Sequence, residues 1–134
     1  KPIIGICLGM QLLFDSGNEF KFSEGLGLIR GTVQKLDINP KNSSEIFLPH
    51  IGWNEIYRRG SEIRKSKNLR QYFVHSYAAK DVDEKYVTFI SNYSDQEFIA
   101  AVRKDNIAGF QFHPERSGID GLNLLSEEIL KLIN

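Results

Sequence analysis

Residues 2–14 read PIIGICLGMQLLF, an apolar run that passes through a glycine-flanked cysteine into a segment of good helix formers. The run over residues 2–6 does not alternate between apolar and polar side chains, which is typical of a buried strand in a parallel sheet. Residues 8–14 have the apolar spacing of a helix that buries one face, and the Ser-Gly-Asn sequence at residues 16–18 ends it. The stretch therefore predicts a strand, a sharp turn and a helix.

The first strand also bears on where the native protein begins. A strand in the middle of a sheet needs a neighbour on each edge, yet this one follows Lys1 almost directly, with no initiator methionine. We therefore expect the native protein to have residues before Lys1, so that this chain is N-terminally truncated.

The rest of the chain predicts more strands than helices. Residues 97–102 and 107–112 form a buried pair joined by a tight hairpin turn at 103–106, and a helix follows over 119–133. Further short β-rich runs between turn residues are 28–36, 46–48, 53–57, 72–77 and 86–90, and a polar loop is expected at 39–45. The stripe expected to cover the sheet is Leu122, Leu125, Ile129, Leu130 and Ile133. We expect one α/β domain over residues 1–134, with an open mixed, largely parallel sheet flanked by helices.

Composition excludes several classes of function. The 134 residues are 41% apolar and 25% charged, which suits one globular domain with a continuous core. Seventeen basic residues balance seventeen acidic ones, which argues against a nucleic-acid partner. No apolar stretch approaches the roughly 20 residues that span a bilayer, so we expect no membrane partner. The single cysteine cannot form an internal disulfide, which favours a reducing, cytoplasmic location.

The most specific local signal is a cysteine with a glycine two residues away on either side. Gly5 and Gly9 let backbone segments approach closely where Cys7 is forced into a strained conformation, as in the nucleophile elbow of hydrolases. A position at a helix N-terminus is expected to favour the thiolate over the thiol. The Leu8 amide would point at a developing oxyanion. Against this, a lone cysteine in an apolar strand is more often a buried structural residue.

A second signal lies far along the chain, where the apolar run 107–112 ends at His113 and is followed two residues later by Glu115. Catalytic groups in open α/β sheets gather outside the carboxyl ends of the strands, and Cys7 follows such an end as well. His113 could take the thiol proton while Glu115 fixes the ring's tautomer and orientation. Alone, His-Pro-Glu is more often a turn; with the elbow it predicts a Cys-His-Glu triad.

Both motifs resemble the signatures of class I glutamine amidotransferases. GICLGMQ at residues 5–11 and HPE at 113–115 carry the resemblance, which spans the whole chain. The stretches PHIGWN at 49–54, YFVHSY at 72–77 and GFQFHPERSG at 109–118 are most similar to the glutaminase subunits of imidazole glycerol phosphate synthases. The resemblance implies a flavodoxin-like three-layer fold, of which this chain would be the C-terminal two-thirds.

The resemblance also implies a chemistry and a set of site residues. Cys7 would attack the side-chain amide of glutamine, release ammonia and form a thioester that water hydrolyses, with His113 as proton shuttle. Ammonia would pass to a (β/α)8-barrel synthase subunit, in a heterodimer, that makes imidazole glycerol phosphate and an aminoimidazole carboxamide ribonucleotide (AICAR). The residues implied to bind glutamine are Gly9, Gln11, Glu19, Ser76 and Tyr77; those implied to face the partner are Trp53 and Tyr72.

One family feature is absent from this chain. The second oxyanion donor of these enzymes comes from a glycine-containing loop before the nucleophile, and that loop is not in the sequence. We therefore expect this polypeptide to be inactive alone or to associate with another piece.

Other readings remain open. A paralogous glutaminase could supply ammonia for the amidation of a nucleotide-sugar, the chain could be a non-catalytic binding module, or it could be a cysteine hydrolase of another amide. His50 and His75 lack metal-ligand spacing, so we expect no metal ion and no cofactor. The basic pairs at 58–59 and 64–65, with Glu55 and Glu62 interspersed, are expected to be a solvated face.

Overall fold

The computed structural model describes residues 1–38, 46–60 and 69–134, and arranges them as two β-sheets with two α-helices. The predicted loop at 39–45 and the Glu62, Arg64 and Lys65 part of the predicted basic face lie outside the described residues. The elements are β1 Ile3–Ile6, α1 Leu8–Gln11, β2 Ser16–Gly17, β3 Ser23–Glu24, β4 Thr32–Lys35, β5 His50–Arg58, β6 Leu69–His75, β7 Tyr77–Lys80, β8 Val87–Tyr93, β9 Gln96–Lys104, β10 Ile107–Phe110 and α2 Gly118–Ile133. Single 3-10 turns occur at Glu84–Tyr86 and Pro114–Arg116.

The larger sheet has the strand order β1-β10-β9-β8-β5-β6, and the smaller has the order β3-β2-β4-β7. The α/β class and the mixed sheet are confirmed, but the larger sheet is mostly antiparallel: among its described pairs, only β1–β10 is parallel. Short connections explain this, since β8, β9 and β10 are joined by two-residue turns at residues 94–95 and 105–106, and tight hairpins allow only antiparallel pairing. The predicted hairpin is therefore confirmed.

The strand–turn–helix unit forms at the edge of the larger sheet. β1 pairs with β10 in the register Ile3↔Ile107 to Ile6↔Phe110, and has no strand on its other side among the described residues. α1 ends at Gln11, earlier than predicted. The next residues turn inward instead, because Leu13 is buried and its carbonyl accepts the amides of Leu28 and Ile29.

The other predicted strands differ mainly in their ends. The run 28–36 is a strand only over Thr32–Lys35, and residues 46–48 form no strand. The run 72–77 is divided at Ser76, where the chain leaves the larger sheet as β6 and enters the smaller sheet as β7. Ser76 is thus the residue between β6 and β7 at one of the chain's crossings from one sheet to the other.

The final helix is confirmed to within one residue, but the predicted stripe is wrong. The buried positions of α2 are Gly121, Leu124, Glu128 and Leu132, whereas Leu122, Ile129, Leu130 and Ile133 are exposed and Leu125 is partly buried. Gly121 sets the rotation of the helix, since a Cβ there would lie 2.2 Å from the Pro114 carbonyl oxygen. No helix among the described residues has the length and apolar character that crossing a membrane requires.

Two cores cover the two faces of the larger sheet. Ala108 and Phe110 of β10 belong to the core under α2, together with Phe73, Phe98, Phe112 and Leu124. Ile107 packs on the opposite core, which holds α1 and the smaller sheet through Met10, Leu13, Phe14 and Val33. Because side chains of a strand alternate between its faces, β10 separates the two cores.

Candidate active site

Cys7 occupies the turn between β1 and α1 in a conformation that few residues adopt. Its φ is 54° and its ψ is −109°, and its amide donates to the Phe110 carbonyl at 2.7 Å. The predicted backbone strain is therefore present. Gly5 permits the turn, since a Cβ on it would lie 2.5 Å from the Gly9 carbonyl oxygen. The thiol is half-buried, with Sγ 3.7 Å from the Val74 carbonyl oxygen.

The protonation of Cys7 differs from expectation. Burial raises the pKa of the Cys7 thiol, the Leu8 amide lowers it, and the negative charges of Glu115 and Glu19 raise it further. The amide acts in the predicted direction, but the net shift is upward, so the prediction of a favoured thiolate is wrong. α1 has only four residues and contributes little helix dipole against burial and two carboxylates. Reaction at neutral pH therefore requires a base.

His113 and Glu115 form an ion-pair geometry directly after β10. The Nδ1 atom of His113 lies 2.6 Å from Oε1 of Glu115, and the histidine side chain is 20% exposed against 42% for the glutamate. Because an ionised carboxylate can only accept, Nδ1 carries a hydrogen, which leaves Nε2 of the neutral ring free to accept a proton. The predicted base and orienting acid are thus brought together.

The backbone of His113 is held by a small ring of hydrogen bonds to β6. The His113 amide donates to the Tyr72 carbonyl at 2.9 Å, and the Tyr72 amide donates to Ser117 Oγ at 2.9 Å. The Ser117 hydroxyl in turn donates to the His113 carbonyl at 2.6 Å. The position of the histidine is therefore set by β6 as well as by β10.

Cys7 and His113 follow the same end of the parallel pair, but they share no hydrogen bond among the described contacts. The Cys7 amide bonds to the last residue of β10, and the charge of Glu115 acts on the thiol, so the two halves of the predicted triad lie in one electrostatic neighbourhood. In this state the thiol faces Val74 instead of the imidazole. Catalytic hydrogen bonds are often long or absent before substrate binds.

Two glutamines connect the thiol to β7. Gln11 Nε2 donates to the Tyr77 carbonyl at 3.2 Å and to Oε1 of Gln111 at 3.1 Å. Gln111 is fully buried, and its Nε2 lies 3.9 Å from Cys7 Sγ. Gln111 was not predicted as a site residue, although an amide inside the apolar run 107–112 is a signal for it, because buried polar side chains need partners.

A cavity of about 420 Å³ opens beside α1. Of the predicted glutamine-binding residues, Gln11 and Glu19 line it, whereas Gly9, Ser76 and Tyr77 do not. The Ser76 carbonyl accepts the Leu36 amide, and Gly9 faces open space. The lining is Leu8, Gln11, Leu12, Ser16, Gly17, Glu19, Phe20, Ser23, Glu24, Gly25 and Val33. The cavity is large enough for an amino acid, and Leu8, the residue that follows Cys7, is part of its lining.

Two further pairs lie across β5 and β6. Trp53 and Tyr72 are directly opposite, with ring centroids 6.0 Å apart in an edge-to-face arrangement, and Trp53 is 50% exposed. His50 and His75 are also opposite, with Nδ1 and Nε2 3.0 Å apart on the buried face. Within residues 1–38, 46–60 and 69–134, no group of three or more metal-ligand side chains is present.

The family model for class-I glutamine amidotransferases matches residues 1–132. The chain belongs to this family. Among curated relatives of this amidotransferase, imidazole glycerol phosphate synthase subunit HisH from Listeria monocytogenes is 46% identical over 127 residues, covering 93% of the chain and 58% of the relative. The HisH subunit of Pyrococcus furiosus is 43% identical over 129 residues, covering 93% and 62%. The chain thus spans about three-fifths of the length of these relatives.

Solved structures support the amidotransferase fold. A crystal structure of a glutamine amidotransferase matches 96% of this chain and 60% of its own with a TM-score of 0.61 at 16% identity. A glutamine amidotransferase from Thermotoga maritima matches 97% of this chain and 49% of its own with a TM-score of 0.52 at 21% identity. At such identities the likeness concerns the fold alone.

Proposed function

We propose that the whole protein is the glutaminase subunit of an imidazole glycerol phosphate synthase. The observation that carries the proposal is the strained Cys7 turn at the same sheet end as the His113–Glu115 pair. The names of the relatives, which are 43 to 46% identical to this chain over the aligned residues, support the pathway. The single free cysteine fits a reducing cytoplasm.

The proposed reaction begins when His113 Nε2 removes the thiol proton and Cys7 Sγ attacks the side-chain carbonyl carbon of glutamine. The carbonyl electrons move to oxygen, and the Leu8 amide donates to the oxyanion. The carbon–nitrogen bond then breaks, and His113 returns its proton to the leaving nitrogen as ammonia forms. Water, deprotonated by the same imidazole, hydrolyses the thioester to glutamate and restores the thiol.

Glu115 and the cavity have separate proposed roles. Glu115 keeps the hydrogen of His113 on Nδ1, so that Nε2 is the basic nitrogen throughout both half-reactions. Gln11 and Glu19, which line the cavity, would bind the amino-acid head of glutamine. Gly9, Ser76 and Tyr77 would contribute through their backbone rather than through the cavity wall.

A (β/α)8-barrel synthase subunit is the proposed partner and the consumer of ammonia. Aromatic residues are enriched in the centres of protein interfaces, and Trp53 is 50% exposed beside a half-buried Tyr72, which supports docking on this face of β5 and β6. Docking there would occur next to the strand that holds the His113 backbone.

The test is release of ammonia and glutamate from glutamine by the whole protein, with and without candidate barrel synthases. We expect slow release alone and strong stimulation by the correct partner. Cys7→Ala should abolish release, His113→Asn should reduce it by about 10³-fold or more, and Glu115→Gln should reduce it less. Lys85→Ala, an exposed side chain outside the site, is the control and should leave release unchanged.

Three outcomes would change the proposal. Full release by Cys7→Ala would remove Cys7 as nucleophile. Glutamine binding without release under any condition would indicate a binding module. Ammonia release that never yields imidazole glycerol phosphate, but amidates a nucleotide-sugar, would leave the glutaminase and replace its acceptor.

A further inference from the structure

His50 and His75 form a buried pair that the proposed reaction does not use. They are 3% and 6% exposed and stand opposite each other on β5 and β6. His50 Nδ1 lies 3.0 Å from His75 Nε2, and His75 Nδ1 lies 2.9 Å from the Tyr77 carbonyl oxygen. The pair therefore ends on a backbone atom of β7, just beyond Ser76, where the chain crosses from the larger sheet to the smaller one.

The Tyr77 carbonyl, at the end of this series of hydrogen bonds, determines which atom donates in each of them. A carbonyl oxygen only accepts, so Nδ1 of His75 carries the hydrogen and Nε2 of the neutral ring is an acceptor. His50 must then donate from its own Nδ1. Both rings are neutral Nδ1–H tautomers, and His75 has its two nitrogens fully engaged.

The Tyr77 carbonyl oxygen also accepts a hydrogen bond from the side-chain amide of Gln11. Gln11 Nε2 donates to Tyr77 O at 3.2 Å and to Gln111 Oε1 at 3.1 Å, so its amide is oriented by two fixed acceptors. Gln111 then reaches Cys7 Sγ at 3.9 Å. Four hydrogen bonds thus connect His75 to the nucleophile, although neither ring of the histidine pair lines the cavity.

Aromatic rings hold the pair in place. His50 stacks on Tyr93 at 4.0 Å and on Phe73 at 5.1 Å between ring centroids, and Phe98 lies 4.9 Å from His75. Burial lowers the pKa of both histidines to about 4, so the neutral tautomers persist at physiological pH.

We propose that His75, supported by His50, is a positioning residue of the glutamine site, fixing the Tyr77 carbonyl that orients the Gln11 amide toward bound glutamine. The inference rests on the proposed function for the identity of the ligand. A pair that only filled the core could be apolar, since buried polar groups stabilise a fold little over apolar groups of the same shape. Here each donor is directed along one path toward Gln11.

The first test does not depend on glutaminase activity. Two-dimensional NMR of the ring nitrogens should show His75 and His50 as Nδ1–H tautomers at neutral pH. The side-chain amide signal of Gln11 should shift in His75→Phe, which keeps a ring but removes the donor. It should return toward its original position in His75→Asn, whose Nδ2 replaces the Nδ1 donor. An Nε2–H tautomer of His75, or an unmoved Gln11 signal, would overturn the proposal.

The second test is steady-state kinetics of the whole protein with its synthase partner. Loss of one hydrogen bond on the Tyr77 carbonyl in His75→Phe should raise the KM for glutamine about three- to tenfold, with kcat within about twofold. His75→Asn should recover most of the lost affinity. Tyr93→Phe is the matched control, because it keeps the ring stacked on His50 and removes only a bond to the Phe47 carbonyl.

The outcomes separate the two proposals. A wild-type complex that does not hydrolyse glutamine contradicts the proposed function, while the tautomer and Gln11 signals still decide the positioning role. An active wild type whose His75→Phe variant loses thermal stability but keeps its KM shows a purely structural pair. If His75→Phe does not fold, the ring tautomer of His75 in the wild-type protein decides, because an Nε2–H ring overturns the positioning role. In a folded His75→Phe variant, an unchanged KM with a lowered kcat would assign His75 to the chemical step instead.

Discussion

Cys7 combines the reactive thiol with a backbone conformation that disfavours any side chain. We predict that Cys7→Gly is more stable than Cys7→Ala by about 1 kcal/mol, because glycine relieves a positive-φ strain of about 1–3 kcal/mol and loses part of that gain to chain entropy. Urea unfolding of the two variants measures the difference. At Lys35, an exposed residue in β4, the glycine variant should be the less stable of the pair. The same order at both positions would show that the Cys7 turn is not strained.

Gln71 is a buried polar residue whose side-chain amide lacks hydrogen-bond partners among the described residues. It is fully buried on β6, and neither side-chain polar atom has a hydrogen-bond partner within the described part of the chain. Gln71→Met should therefore raise the free energy of unfolding by about 1–3 kcal/mol, since it removes two unpaired groups at similar volume. Gln111→Met, at an equally buried amide that is bonded to Gln11, should lower it. Destabilisation by both changes would show that Gln71 is satisfied in solution.

At the scale of single residues, the reactive side chains are easier to predict from the sequence than the residues that position them. Cys7, His113 and Glu115 lie in motifs whose combination of residue types indicates nucleophilic catalysis. The link between His75 and the Tyr77 carbonyl leaves no such trace, because it depends on the crossing at Ser76 and on tautomers set by a backbone oxygen. The rise in the Cys7 pKa was also missed, since burial and two distant carboxylates outweigh the local amide.

Among elements, α1 depends on two glycines in different ways. A Cβ at Gly5 would lie 2.5 Å from a backbone oxygen of the helix, whereas a Cβ at Gly9 would meet nothing within 4 Å. We predict that Gly5→Ala lowers the free energy of unfolding by about 2 kcal/mol or more, as overpacking against backbone does, and that Gly9→Ala is neutral or stabilises by up to about 1 kcal/mol. Thermal unfolding of both variants provides the comparison. Equal losses would mean that the glycines serve backbone flexibility rather than packing.

Elements whose boundaries are set locally were predictable, and those set by packing were not. The 103–106 hairpin follows from its own turn residues. The buried face of α2 does not follow from its apolar residues, because Gly121 must face the Pro114 carbonyl and thereby turns Leu122 and Leu130 outward. The early end of α1 likewise depends on Leu13 bonding to a segment fifteen residues later.

For the molecule as a whole, the neutral histidine pair predicts a loss of stability in acid. The folded-state pKa of His50 and of His75 is about 4, below the unfolded value of 6.5, so the unfolded chain binds more protons as pH falls. Their contribution is complete above about pH 6.5 and disappears as pH falls toward 4. Between pH 7 and pH 5 we expect a loss of about 4 kcal/mol from the pair. The slope should flatten in a His50→Phe, His75→Phe double variant, and an unchanged slope would show that other groups cause it.

The aromatic pair of Trp53 and Tyr72 leads to a prediction about binding of the proposed partner. Trp53→Ala should weaken binding of the proposed synthase partner by about thirtyfold, or about 2 kcal/mol, and reduce the partner's stimulation of ammonia release, with little change in melting temperature. Titration calorimetry and thermal unfolding of one preparation test both parts. Leu130→Ala on α2, 55% exposed, is the control and should leave affinity unchanged. Unaltered affinity with a sharply lower melting temperature would make Trp53 a core residue.

The hydrogen-bonded ring of Tyr72, His113 and Ser117 has a consequence for how such a subunit can diversify. The side chain of Tyr72 in β6 lies on the proposed docking face. The carbonyl of the same residue accepts the amide of His113, the proposed base. A change in β6 that alters partner binding would therefore also alter the position of the imidazole of His113. Relatives that bind a different synthase should accordingly carry compensating substitutions around residues 113–117.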